Sequence, residues 1–138
     1  MHDGIHYIFI ADAIGMASAF PTLKERLTTA AYQHVTLLYC SADNQYIFQK
    51  ELEILQKHYP TQLFVTYHSN RPDERCTFHQ KDITVIIQEE VEVILNANTM
   101  QQMSFIISGN AGFTARITDS LIFLGITDIQ IHKQYFSE

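Results

Sequence analysis

The stretch IHYIFIADAIGMASAF, Ile5 to Phe20, decides the fold. Ile5 to Ala11 (IHYIFIA) reads as a strand, and its unbroken Tyr7 to Ile10 run is apolar on both faces, as a strand in the middle of a covered sheet requires. A turn holding Gly15 follows, after which Phe20, Leu23 and Leu27 recur at helical spacing and Ala30 and Ala31 extend the segment. Proline fits the first turn of a helix but not its interior, so Pro21 sets the start of the regular helix near Ser18. A buried strand feeding a helix is the first half of a crossover unit of a parallel sheet.

Working outward, the pattern repeats. Val35 to Tyr39 (VTLLY) is a second buried strand, and the polar stretch Ser41 to Gln45 leads to a helical stripe of Phe48, Leu52, Leu55 and Tyr59 that Pro60 stops. Gln62 to His68 (QLFVTYH) is a third strand of mixed polarity, followed by an exposed loop, Ser69 to Lys81. Asp82 to Asn96 is ambiguous in its β-branched opening ITVII, but a helix capped by Asp82 places Ile83, Ile87, Val91, Ile94 and Leu95 on one face. Ser104 to Ser108 (SFIIS) is a short buried strand, and Ile117, Leu121 and Leu124 form a helix ended by Gly125. From Asp128 to Tyr135, Ile129, Ile131 and Tyr135 alternate with Gln130, His132 and Gln134, which marks a half-exposed strand.

This order predicts an α/β protein: a three-layer α/β/α domain around a five-stranded parallel sheet with right-handed crossovers. The most apolar strands belong inside and the amphipathic third and fifth at the edges, which gives the order 3-2-1-4-5. In such sheets a ligand crevice lies beyond the carboxyl ends of strands 1 and 4, where the winding reverses. The turns after Ala11 and Ser108 are therefore the candidate site.

The totals bound the partners. A chain of 138 residues makes one domain, 1–138, able to bury about two thirds of its unfolded surface. It is 46% hydrophobic and 17% charged, an ordinary globular composition. Nine basic against fifteen acidic residues give a net charge of −6, which disfavours nucleic acid and anionic membrane surfaces. Cys40 and Cys76 fit no metal or redox spacing, no apolar run approaches the roughly 20 residues of a membrane span, and the first residues lack a basic-then-apolar leader pattern. A cytoplasmic protein is expected. His2, His6, His34, His58, His68, His79 and His132 form no helical His-x-x-x-His pair, so no metal is expected. Hydrolase and NTPase readings lack a Gly-x-Ser-x-Gly elbow and a Gly-Lys-Ser/Thr phosphate loop.

On these landmarks the chain resembles, over nearly its whole length, the nucleotide-binding carboxyl-terminal half of the ferredoxin–NADP reductase family. IADAIGMASAF, Ile10 to Phe20, is similar to the family's I-A-G-G-x-G-I-T-P-F, with Gly15 on the last glycine. LLYCSADNQYIFQKELEIL, Leu37 to Leu55, is similar to L-L-Y-G-x-R followed by F-x-x-E-L-x-x-L, supplied here by Phe48, Glu51, Leu52 and Leu55. FIISGNAGF, Phe105 to Phe113, resembles F-I-C-G-P-x-x-M, and IHKQYF, Ile131 to Phe136, resembles the closing I-H-x-E-x-F. The departures are Asp12 and Ala13 for two glycines, Ser18 for proline, Ser108 for cysteine, Asn110 for proline, Phe113 for methionine and Gln134 for glutamate.

The resemblance implies a nicotinamide dinucleotide, NAD or NADP. It places Ala13, Ile14, Gly15 and Met16 at the pyrophosphate, where a helix N-terminus favours an anion. Asp12 in that turn repels phosphate unless it points away or caps the helix. Ser41 and Asp43 fall at the adenosine ribose. With no cation there, Asp43 suits a free hydroxyl and favours NAD over NADP. A Ser-Arg pair after strand 3 contacts the 2′-phosphate in one branch of the family, but here Asn70 separates Ser69 from Arg71, which reads as a solvated loop residue. Ser108, at the position of the family's catalytic cysteine, falls beside the nicotinamide with Gly109, Asn110 and Phe113, and Tyr135 or Phe136 covers the ring. Each has a purely structural alternative: a tight turn at Gly15, a strand end at Ser108, edge packing at Tyr135.

In the family the hydride acceptor is a flavin held by an upstream barrel with an Arg-x-Tyr-Ser type motif. No such barrel precedes Met1, so the expectation is a component, with flavin on another domain or a partner flavoprotein. The alternative is a nucleotide-free interaction module that kept the fold and lost the cofactor.

Overall fold

The computed structural model describes residues 5–29, 34–41, 46–69, 83–97, 102–127 and 130–135. Strands and helices alternate: β1 (Ile5–Asp12), α1 (Met16–Thr29), β2 (His34–Ser41), α2 (Gln49–His58), β3 (Leu63–Ser69), α3 (Ile83–Ala97), β4 (Gln102–Gly109), α4 (Ala111–Phe123) and β5 (Ile131–Tyr135). The strands form one parallel five-stranded sheet in the order β3-β2-β1-β4-β5, as the distribution of apolar residues predicts.

The alternation of side chains along a strand sorts β1 between two cores. Tyr7, Phe9 and Ala11 face α1 and α2, where they meet Met16, Ala19, Leu23, Leu27 and Leu52. Ile8 and Ile10 face α3 and α4, where they meet Ile87, Val91, Phe113, Ile117 and Leu121. Ile8, Phe9, Ile10 and Ala11 are all fully removed from solvent, so the Tyr7 to Ile10 run is apolar because both of its faces are covered. At the edges, Phe64 on β3 is 50% exposed, and His132 and Lys133 on β5 are exposed.

The ambiguous ITVII segment is helical, and Ile87, Val91 and Ile94 lie against one core as the periodicity requires. Helix α4 ends in a Schellman motif: Ile126 N–H donates to the Leu121 carbonyl at 3.0 Å and Gly125 N–H to that of Ile122 at 2.9 Å. Gly125 takes φ 93° there, and Ile126 packs into the same core as Leu121.

Most strand boundaries shift by one or two residues from the sequence reading, and three differences have a visible cause. Helix α1 starts at Met16, not near Ser18, and carries Pro21 inside it. Ser18 and Ala19 N–H both donate to the Gly15 carbonyl, at 3.1 and 2.9 Å. Pro21 is exposed, so the carbonyl it leaves without an intrahelical donor, that of Ala17, lies on the solvent side. Ser41 ends β2 instead of opening a loop, because β3 pairs alongside it through Ser69. Strand β5 starts at Ile131, since Gln130 is taken up in a turn where its side chain accepts the Thr127 hydroxyl at 3.1 Å. Ala30, Ala31, Asp82, Asp128 and Ile129, used in the sequence reading, lie outside the described residues. Among those described, no helix is long and apolar enough to cross a membrane.

At the amino-terminal end of the sheet, His6 Nε2 lies 2.8 Å from Thr36 Oγ1, and its ring is 6.2 Å from that of His34. Burial, with the neighbouring His34 second, lowers the His6 pKa from 6.5 to about 4. The unfolded chain therefore takes up a proton below pH 6.5 that the folded chain refuses until about pH 4. The stability contributed by neutral His6 is complete above the unfolded value and is lost as pH falls through this window. Urea denaturation across that range is expected to show a smaller acid loss of stability for His6→Gln than for the native chain. Identical pH profiles would remove His6 as the cause.

Candidate functional site

Helices α1 and α4 leave the carboxyl ends of β1 and β4 toward opposite faces of the sheet, so the winding reverses between these adjacent strands, where sheets of this kind place a ligand crevice. The two walls touch through backbone. A Cβ at Gly15 would run into the Ser108 carbonyl and lie 2.8 Å from Gly109 N. A Cβ at Gly109 would lie 2.7 Å from both Asp12 Oδ2 and Phe113 Cδ2. Close approach of backbone therefore requires the glycine at position 15, while a side chain at position 109 would have to push the Asp12 and Phe113 side chains aside.

Asp12, the last residue of β1, lies between these walls. Its Oδ1 accepts the Gly15 N–H at 2.7 Å, and its Oδ2 accepts the Asn110 N–H at 3.3 Å. Asn110 in turn caps α4, its Oδ1 accepting the Phe113 N–H at 2.8 Å. The carboxylate thus bonds the residue just before α1, not the N–H groups of the helix itself, and makes a second bond to the other turn that the sequence does not announce. Two donors at this switch point, the Gly15 and Asn110 N–H groups, are held by one carboxylate of the chain itself. A ligand phosphate brought within 4 Å of the Asp12 charge meets a repulsion of about 4 kcal/mol at an effective dielectric constant of about 20.

The residues assigned to the site separate into three groups. Ala13 is half-buried, Ile14 is exposed, and Asn110 is half-buried; these border the crevice. Gly15 and Gly109 present backbone. Met16 and Phe113 project instead into the two cores, and Ser108 and Ser41 are buried at the ends of their strands. Tyr135 pairs with Gly109 in register, which brings the end of β5 beside the β4 turn. Asp43, Phe136, Asn70 and Arg71 lie outside the described residues. Among the described residues, no three His, Cys, Asp or Glu side chains come together as a metal site.

A second feature was not read as part of the site. Tyr39 and Tyr67 are register partners on β2 and β3, and Tyr46 packs edge-on against both, with ring centroids 5.0 and 4.8 Å away. Tyr39 Oη donates to the Ile47 carbonyl at 3.1 Å, which ties the segment after β2 to the sheet. Burial raises the Tyr39 pKa to about 12, against the lowering effect of the Ile47 bond, so the phenol stays a donor at neutral pH. Beyond Ile47, Phe48 holds φ 66° at the start of α2, and its ring stacks on Phe20 at 4.7 Å. This contact with α1 offsets the cost of a left-handed bulky residue. The signal was present in the matching positions of Tyr39 and Tyr67, but pairing them needs the register. Cys40, beside Asp12, is buried, and burial followed by the Asp12 charge pushes its thiol up to about 12, which makes it unreactive at neutral pH.

The arrangement is a doubly wound α/β fold with a switch-point crevice. No protein-family model matches the chain, and no curated protein matches it significantly in sequence. Solved structures do match. The ferredoxin–NADP+ reductase of Plasmodium falciparum with 2′P-AMP superposes with a TM-score of 0.73 at 19% identity, over 95% of this chain and 52% of that one. The CS-b5R domains of human Ncb5or, in the NAD+ form, give 0.73 at 19% identity over 93% of this chain and 36% of that one. A flavohemoglobin from Malassezia yamatoensis with bound FAD and heme gives 0.73 at 14% identity over 99% of this chain and 33% of that one. The likeness includes the reductases that the sequence motifs resemble and shows a shared fold. The chain spans about half the length of the Plasmodium reductase.

Two substitutions separate the backbone contact from the cap. Asn110→Ala is expected to cost about 1 kcal/mol, the loss of one capping bond. Gly15→Ala is expected to cost about 3 kcal/mol or more, because the contact it meets is backbone. Urea denaturation measures both, and equal small losses would contradict the close approach at Gly15.

Proposed function

We propose that the chain is the dinucleotide-binding component of a flavin-dependent oxidoreductase, and that it works with a flavin carried on another domain or subunit. The observation that carries this reading is the switch point: winding reverses between β1 and β4, and Gly15 and Gly109 let the two turns that follow these strands approach each other closely. The motif resemblance at Leu37 to Leu55 and Ile131 to Phe136 supports it. So does the likeness to a reductase solved with 2′P-AMP and to another in its NAD+ form.

In this reading the pyrophosphate lies over Gly15 and the first turn of α1, whose start directly after Gly15 suits an anion. The adenosine lies toward the end of β2, where Asp43 receives a free ribose hydroxyl and NAD is preferred to NADP. The nicotinamide lies toward Gly109 and Asn110, with Ser108 behind them and Tyr135 or Phe136 over the ring. When bound, the nicotinamide supplies a hydride to a flavin. This chain's residues bind and orient it.

A second reading rests on a specific observation. The Asp12 carboxylate and the Asn110 side chain fill hydrogen-bonding positions that a nucleotide would use, which favours a nucleotide-free module that kept the scaffold.

Calorimetric titration of the purified chain with NADH and NADPH distinguishes the two. Saturable binding of NADH, several-fold tighter than NADPH, is expected. No heat from either at millimolar ligand would overturn the dinucleotide reading in favour of the second.

A further inference from the structure

Asp12 bonds to two donors that belong to different walls of the crevice. Gly15 stands three residues further along the chain, and Asn110 is 98 residues away, at the mouth of α4. A carboxylate used only as a helix cap bonds within its own turn. The reach to Asn110 puts this one across the opening. The space it occupies is reserved for it: Gly109 packs against Asp12 Oδ2 so closely that any side chain at position 109 would displace the carboxylate. The donors it holds are backbone N–H groups at the end of the sheet where the helix N-termini gather, the type of donor that receives phosphate oxygens.

Resting on the dinucleotide reading of this crevice, we infer that Asp12 is a built-in competitor for pyrophosphate, occupying the Gly15 and Asn110 N–H groups until a dinucleotide displaces it. Asp12 is half-buried and is flanked by half-buried Ala13 and exposed Ile14, so it already borders solvent. Binding then requires the open rotamer. The apparent affinity falls by the fraction of molecules in which the crevice is open, and the Asp12 charge adds to the penalty if the side chain stays nearby. The residue thereby sets how tightly, and for which ligands, the crevice closes: anions are penalised, and neutral fragments such as nicotinamide are not.

The experiment compares the native chain with Asp12→Asn and Asp12→Gly. Inorganic pyrophosphate and NADH are the probes, followed by the amide shifts of Gly15 and Asn110 and by calorimetry. Asparagine keeps the shape and an acceptor for Gly15 N–H but removes the charge, so it remains informative if the glycine variant is too unstable to study. Asp12→Asn is expected to bind pyrophosphate at least about tenfold more tightly than the native chain, and Asp12→Gly at least as tightly as Asp12→Asn, with both amides shifting on binding. A purely structural cap would alter the melting temperature and leave pyrophosphate affinity unchanged. Equal affinity in native and variant chains, or no shift at Gly15 and Asn110 in either variant, overturns the inference. Tighter pyrophosphate binding by the variants, with no NADH binding by any of the three, sustains the role of Asp12 and overturns the dinucleotide reading.

Discussion

The approach of the α1 turn to the end of β4 is the contact on which the rest of the structure depends. Gly15 reaches the Ser108 carbonyl only because it has no Cβ. That contact sets where α1 begins and brings the two helix-bearing turns within one carboxylate's span. Move the turn outward by a side chain, and Asp12 no longer reaches both Gly15 and Asn110. The parallel pairing of β1 with β2 and β4 places this contact at the centre of the sheet, with a covered core on each face.

The same end of the sheet carries a second, apolar fastening. Tyr39, Tyr46 and Tyr67 join β2, β3 and the segment between β2 and α2, while Phe20 and Phe48 join α1 to α2. Of these contacts, the one between Phe20 and Phe48 reaches α1, the helix that follows the Gly15 turn. The opposite end of the sheet holds the half-buried histidine His6 and its neighbour His34. Burial also lowers the pKa of His68, which pairs in register with Cys40 next to Asp12, so histidines held below their ordinary value stand at both ends of the sheet.

Much of the scaffold was legible in the residues. Tyr7 to Ile10 marks a central strand, the mixed polarity of Gln62 to His68 and the alternation up to Tyr135 mark edges, and Ile87, Val91 and Ile94 select a helix over a strand, because burial on one or two faces leaves a periodic trace. Boundaries that depend on neighbours were less legible. Pro21 argues for a late helix start, yet the bonds from Ser18 and Ala19 to the Gly15 carbonyl and the packing of Met16 and Ala19 draw α1 back to Met16. Met16 and Phe113 carry the family's site positions but turn into the core, since the direction of a side chain at a helix start is set by the elements packed against it.

By itself the sequence determined a doubly wound five-stranded sheet, its strand order and the position of its switch point, because alternation and burial are properties of local stretches. It also named Asp12 as a departure from the glycine of the resembled motif. Only the tertiary structure decided what Asp12 does. Its second bond is to Asn110, which no spacing along the chain predicts, and it exists because parallel strands 1 and 4 lie side by side and end together.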